Sequence, residues 1–125
     1  MKKLFISCPM KGRTEENIRK SMDKMHKIAE IIYDQQLEVI HTYIEDNPPA
    51  DKKQAVWYLG KSILLLSEAD YYIGVRWPEM FHGCEVENEV ARLYNIECTL
   101  IDMPDLMPDV KEMYKVLYPE PKEAL

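Results

Sequence analysis

Leu4-Phe5-Ile6-Ser7-Cys8-Pro9-Met10-Lys11-Gly12-Arg13-Thr14-Glu15-Glu16 reads as a strand, a turn and the opening of a helix. Residues 4–7 are a short apolar run stopped by Cys8-Pro9, the pattern of a strand buried on both faces. Thr14 offers a helix N-cap. Glu15 and Glu16 then fall in the first turn, where negative charge is favoured. Ile18, Met22, Met25, Ala29 and Ile32 recur at helical spacing and mark the buried stripe of an amphipathic helix ending near Tyr33.

The same unit repeats outward from this stretch. Residues 37–42 form a second strand candidate around Val39 and Ile40, followed by a polar loop over 43–53 that holds Pro48-Pro49. A helix is expected over 54–67, with Trp57, Ile63, Leu64 and Leu66 as its apolar surface and Gly60 in its middle. Residues 70–75 give a third strand, and the loop after it ends at Gly83. A third helix is expected over 84–94 with Val86, Val90 and Leu93 toward the core, then a fourth strand over 98–101. The tail over 102–125 contains Pro104, Pro108, Pro119 and Pro121, with room for a short helix around 109–117. Alternation of strand and helix with apolar strands predicts one α/β domain over 1–125. Its parallel sheet has four to five strands and is covered on both faces, a three-layer sandwich. Ligands of such sheets bind beyond the carboxyl ends of the strands. The loops over 8–14, 43–53 and 76–83 leave those ends.

Bulk composition narrows the function. The 125 residues are 46% hydrophobic and 30% charged, enough to bury a core. A formal net charge of -6 argues against coating a nucleic-acid polymer, which needs clustered Lys and Arg. Cys8, Cys84 and Cys98 are widely spaced and contain no CxxC, so neither a disulfide framework nor a zinc site is expected. No metal and no cofactor are expected. No run approaches the roughly 18 apolar residues of a membrane span. The opening Met1-Lys2-Lys3 precedes a strand, not a signal peptide, and a cytoplasmic protein without membrane partners is expected.

Two segments can carry chemistry. Ser7 to Thr14 joins a strand to a helix N-terminus, a place receptive to an anion. Gly12 there permits close backbone approach, and Arg13 is either a clamp for a phosphate or carboxylate or a solvated side chain. His82-Gly83-Cys84-Glu85-Val86-Glu87-Asn88-Glu89-Val90-Ala91 puts three carboxylates early in one helix. Glu85 and Glu89 share a face away from Val86 and Val90 and are expected in solvent. Glu87 borders the buried face, beside the small Ala91, and is placed to enter the cleft. Proximity to the helix N-terminus is expected to keep it ionised, as suits a nucleophile. Trp77 and Phe81 are stacking or packing aromatics, His82 a donor or an exposed loop residue, and Cys84 a thiol of lowered pKa.

Phe5-Ile6-Ser7-Cys8-Pro9-Met10 resembles the opening strand and turn, Y-[IL]-[AS]-G-P, of the nucleoside 2-deoxyribosyltransferase-like superfamily. Ala69-Asp70 resembles the A-D before its central strand, and Gly83-x-x-x-Glu87-x-x-x-Ala91 its G-x-x-x-E-x-x-x-A. The likeness covers most of residues 3–101. The resemblance implies a Rossmann-like/flavodoxin-like fold, a homodimer or higher homo-oligomer, and a nucleoside or deoxynucleoside 5'-monophosphate as partner. It implies cleavage or transfer of the N-glycosidic bond with Glu87 as nucleophile. The turn of Cys8, Pro9, Met10, Gly12 and Arg13 would hold the 5' end, with Ser7, Ser62, Trp77, His82 and Gly83 as further substrate-binding residues. Departures are Phe5 for the opening Tyr, Cys8 for a Gly, Ser62 for an Asp and Phe81 for Asp or Ser. Trp77-x5-Gly83-Cys84 is similar to a phage- and prophage-associated branch without established activity. The alternative is a nucleotide-binding or sensing protein that does not cleave. Glu45, Asp46 and His82 are candidate proton donors to a departing base, and Tyr43, Tyr58 or a second subunit candidate sources of a hydroxyl near Glu87.

Overall fold

Residues 1–76 and 81–106 are described by the computed structural model. Trp77, the helix expected over 109–117 and the tail beyond residue 106 lie outside them. The element order is β1 (Lys2–Ile6), α1 (Glu15–Tyr33), β2 (Leu37–Val39), α2 (Gln54–Leu66), β3 (Tyr71–Arg76), α3 (His82–Leu93), β4 (Glu97–Asp102) and the short α4 (Met103–Leu106). The strands pair in the order β2-β1-β3-β4, all parallel. This is an α/β fold of the Rossmann/flavodoxin-like kind. The chain leaves β1 toward β2, then returns past β1 to β3. That reversal makes a crevice at the carboxyl ends of β1 and β3.

Side chains alternate across the strands and build two cores. Leu4, Ile6, Ile73 and Val75 face α1 and pack with Met25, Ala29 and Leu106. Phe5 and Tyr72 face the other way and pack with Leu66 of α2 and Ala91 of α3. Phe5 and Tyr72 are register partners, with rings stacked at 5.8 Å. Burying each large apolar side chain stabilises the fold by about 1.5–3 kcal/mol, so the β1–β3 pair anchors both layers.

The entry to α1 is chemically dictated. Gly12 has φ +78, a conformation that a Cβ would strain. Thr14 caps the helix, its Oγ accepting from the Asn17 N–H at 3.1 Å. The buried line of α1 runs Ser21, Met25, Ala29, and Ile32 is 53% exposed, against expectation. Tyr33 takes the inward place instead. It stacks on Tyr71 at 4.1 Å, and its hydroxyl shares a 2.7 Å hydrogen bond with Thr99. Leu64 of α2 is 65% exposed, also against expectation.

Gly74 of β3 faces α3, and only the absence of a side chain lets Tyr72 meet Asn88. A Cβ there would lie 2.8 and 2.9 Å from the Tyr72 ring and hydroxyl and would collide with Asn88 Oδ1. Gly74→Ala is therefore expected to cost about 1–3 kcal/mol. The check is a lowered urea midpoint at unchanged slope.

Candidate active site

Ser7 follows the last residue of β1, and its N–H donates to the Ile73 carbonyl at 2.9 Å, which holds it at the crevice between β1 and β3. Two residues beyond Phe5, its side chain faces the α2–α3 layer. There Ser7 Oγ donates to Glu87 Oε1 at 2.7 Å. Ser62 Oγ, from α2, donates to Glu87 Oε2 at 2.5 Å. The end of β1, the middle of α2 and the first half of α3 thus converge on one carboxylate.

Glu87 is only 9% exposed. Burial raises its pKa, and the hydroxyls of Ser62 and Ser7 pull it back only in part. The net direction is upward. The helix N-terminus does not offset this, because its field fades beyond the first turn and Glu87 lies past it. The inward residues of α3 are Cys84, Glu87 and Ala91, while Val86 and Leu93 are 39% and 58% exposed. Of the expected core residues Val90 packs against the cluster of Phe5, Leu66, Tyr72 and Ala91, whereas Val86 and Leu93 turn outward. Ser7 at the end of β1 and Ser62 on α2 offer polar partners, and the small Cys84 and Ala91 let α3 approach closely.

A second polar pair backs the first. The Tyr72 hydroxyl donates to Asn88 Oδ1, and Asn88 Nδ2 donates to the Val75 carbonyl at 2.9 Å. Burial drives the Tyr72 pKa upward, and the charge of Glu87 raises it further. The phenol therefore stays protonated. Tyr72, from the strand beside Phe5, lies near enough for the charge of Glu87 to act on it, while the expected Tyr58 and Tyr43 line the cleft, Tyr43 at 71% exposure. The register Phe5↔Tyr72 is the signal that identifies it. Cys84 departs from expectation as well: burial pushes its thiol up to about 12, a hydrogen bond to Ser7 notwithstanding.

An open cleft of about 1420 Å³ lies beyond the strand ends. Ser7, Cys8 and Met10 reach its wall from the first loop. Ser62 and Tyr58 reach it from α2, and His82, Gly83 and Glu87 from α3. His41 and Tyr43 border it after β2. Pro9, Gly12 and Arg13 do not line it. Pro9 is fully buried and Gly12 makes the turn. The Arg13 guanidinium donates to the carbonyls of Pro9 at 2.8 Å and Asn17 at 3.3 Å, and to Ser21 Oγ at 2.5 Å. It ties the loop to α1. Trp77 lies outside the described residues. Of the candidate proton donors only His82 lines the cleft, while Asp46 sits 3.9 Å from Lys61.

The arrangement can hold a buried carboxylate in one orientation, present it to a ligand in the cleft, and place an imidazole on the same wall. Among the described residues no group of three or more His, Cys, Asp or Glu is placed to hold a metal ion. None of their helices is long and apolar enough to cross a membrane. No family model matches the chain, and no match was found among curated proteins or solved structures.

Proposed function

We propose that the protein cleaves or transfers the N-glycosidic bond of a deoxynucleoside or deoxynucleoside 5'-monophosphate, with Glu87 as nucleophile. The observation that supports this reading is the Ser7–Glu87–Ser62 cluster: one buried carboxylate, both oxygens held by hydroxyls, at the β1–β3 crevice. Attack on C1' needs the charged carboxylate, which the Ser62 and Ser7 hydroxyls favour against the burial that raises its pKa. The two serines fix its direction, and oriented attack supplies much of such a rate enhancement.

In this reading a Glu87 oxygen bonds to C1' of the sugar as the bond from C1' to the base nitrogen breaks. The bonding pair leaves with the base, which takes a proton from His82 directly or through one water. Such donation contributes about 10²–10⁴ in rate. Water, or a second base, then attacks C1' and returns the carboxylate. Tyr72 lies beside the cluster, its hydroxyl proton given to Asn88. Its protonated phenol adds no negative charge beside the one that Glu87 must carry.

A second reading is favoured by Ser62. Its hydroxyl is spent on Glu87 Oε2, so it cannot also protonate a departing base. A protein that binds a nucleotide in this cleft without cleaving it would look the same around Glu87.

The experiment is a panel of deoxynucleosides and their 5'-monophosphates, with and without a second free base, resolved by chromatography. The expected result is base release by the wild type, with a loss of about 10²-fold in His82→Ala. Base exchange would identify a transferase. Absence of release across the panel, with ligand-dependent thermal stabilisation, would favour the binding reading.

A further inference from the structure

The cleft is larger than one nucleotide needs. Pockets that enclose a ligand of ordinary small-molecule size hold about 300–1,000 Å³, and this one holds about 1420 Å³. The surplus lies along α1. Glu15, Arg19, Asp23 and His26 recur at three- and four-residue spacing and all line the cleft, so one face of α1 walls it for about 16 Å. This arm begins at the first loop, where Lys11 also lines the cleft. Its far end is fixed at the start of β2, where His26 Nε2 donates to the Leu37 carbonyl at 3.0 Å. Its floor is apolar: Ile18, Met22 and Val39 line it and are half-buried against the α1-side core.

The charges of the arm decide what it takes. Lys11 and Arg19 are matched in number by Glu15 and Asp23. A run of phosphates would bring several negative charges to a wall of no net charge, and the two carboxylates would repel them. A flat ring with polar edges meets better surroundings. It finds an apolar floor, a guanidinium to lie along its face, and a carboxylate to accept from an amino group. Arg19 is exposed and has no ion-pair partner among the described residues, unlike Lys20, which Glu16 holds at 3.4 Å.

We propose that the α1 arm is a subsite for a second nucleoside, so that the cleft takes a 3'→5'-linked dinucleotide with C1' of its 3' unit at Glu87. The phosphate of that unit is then a diester with a single charge, which Lys11 answers. The other nucleoside lies along Ile18, Met22 and Val39, with Arg19 and Asp23 at its edges. A peptide strand added to the edge of β2 fits less well. The Leu37 N–H already donates to Glu30 Oε2 at 2.9 Å and its carbonyl already accepts from His26, so that part of the edge is paired. The inference rests on reading the cleft as a nucleotide site and names the substrate class for it.

Isothermal titration calorimetry on the full chain carrying Glu87→Gln, which keeps a substrate uncleaved, tests it. The probes are the deoxynucleoside 5'-monophosphates and the deoxydinucleoside monophosphates that carry each of them as 3' unit. The best dinucleotide should bind at least about tenfold tighter than its matching monophosphate. Arg19→Ala and Asp23→Ala, both at exposed positions, should each reduce that margin, and together remove it, with the monophosphate's affinity unchanged. Lys11→Ala should weaken both ligands alike. Dinucleotides bound no tighter than monophosphates overturn the inference and leave the glycosidase reading standing. A margin that survives the double change overturns it too, and binding of neither class overturns both. A margin lost in the double variant, with no base release by the wild type, would keep the subsite and remove the glycosidase.

Discussion

Glu87→Gln is expected to abolish base release and, at neutral pH, to make the protein more stable. The first effect follows from losing the nucleophile, at least about 10³-fold in kcat. The second follows from proton linkage. Burial raises the pKa of Glu87 above its unfolded value. Between those two values the folded state binds more protons than the unfolded one, so stability falls as pH rises. Its contribution is whole below the ordinary carboxylate range, near pH 4, and is lost as pH climbs through the raised folded value. Gln has no proton to lose, and the serine facing its amide can rotate to accept. Urea midpoints at pH 4 and pH 8 are the check. The variant should match the wild type at the acid end and exceed it at the alkaline end. Each ~1 kcal/mol amounts to about 3–6 °C in Tm for a domain of this size. Equal loss of stability at both pH values, with activity falling only as the folded fraction falls, would make Glu87 a structural residue.

Arg13→Met is expected to cost about 2–3 kcal/mol of stability and to leave substrate preference unchanged. The guanidinium donates to Pro9, Asn17 and Ser21, and Ser21 is only 3% exposed. Hydrogen bonds from a charged donor are worth more than neutral ones, and their loss leaves inward-facing acceptors unmatched. A residue that gripped the 5' end of a substrate would behave differently. Its loss would raise KM for the 5'-monophosphate far more than for the nucleoside. The ratio of those two KM values, measured beside the urea midpoint, separates the roles. A ratio changed tenfold or more at unaltered stability would return Arg13 to the ligand.

These contrasts show what local pattern carries and what it does not. The start of α1 is legible because Thr14, Glu15 and Glu16 act on the backbone beside them. The place of the cleft is legible because apolar strands alternating with helices leave only a parallel sheet with its loops at one edge. Glu87 can be singled out by spacing, but its environment cannot. Ser7 and Ser62 lie 80 and 25 residues away, and hydrophobicity alone would put Val86 inward. Tyr72 needs the strand order as well, since it nears the cluster only because β3 pairs with β1 in register with Phe5. Arg13 misleads for the opposite reason. A cation at a strand–helix turn suggests an anion, yet its acceptors are the Pro9 carbonyl of its own loop and, in α1, the Asn17 carbonyl and the Ser21 hydroxyl. Helix α2 reads as buried because most of its residues are apolar, and in the fold it separates a cleft from an open face.

The most direct test of the central claim is intact mass spectrometry after incubation with a 2'-deoxy-2'-fluoronucleoside, whose fluorine slows both formation and breakdown of a glycosyl ester. The expected result is a mass increase of one fluorinated sugar, located by peptide mapping on Glu87 and absent from Glu87→Gln. Base release from ordinary substrates without any such adduct, or an adduct on another residue, would contradict it.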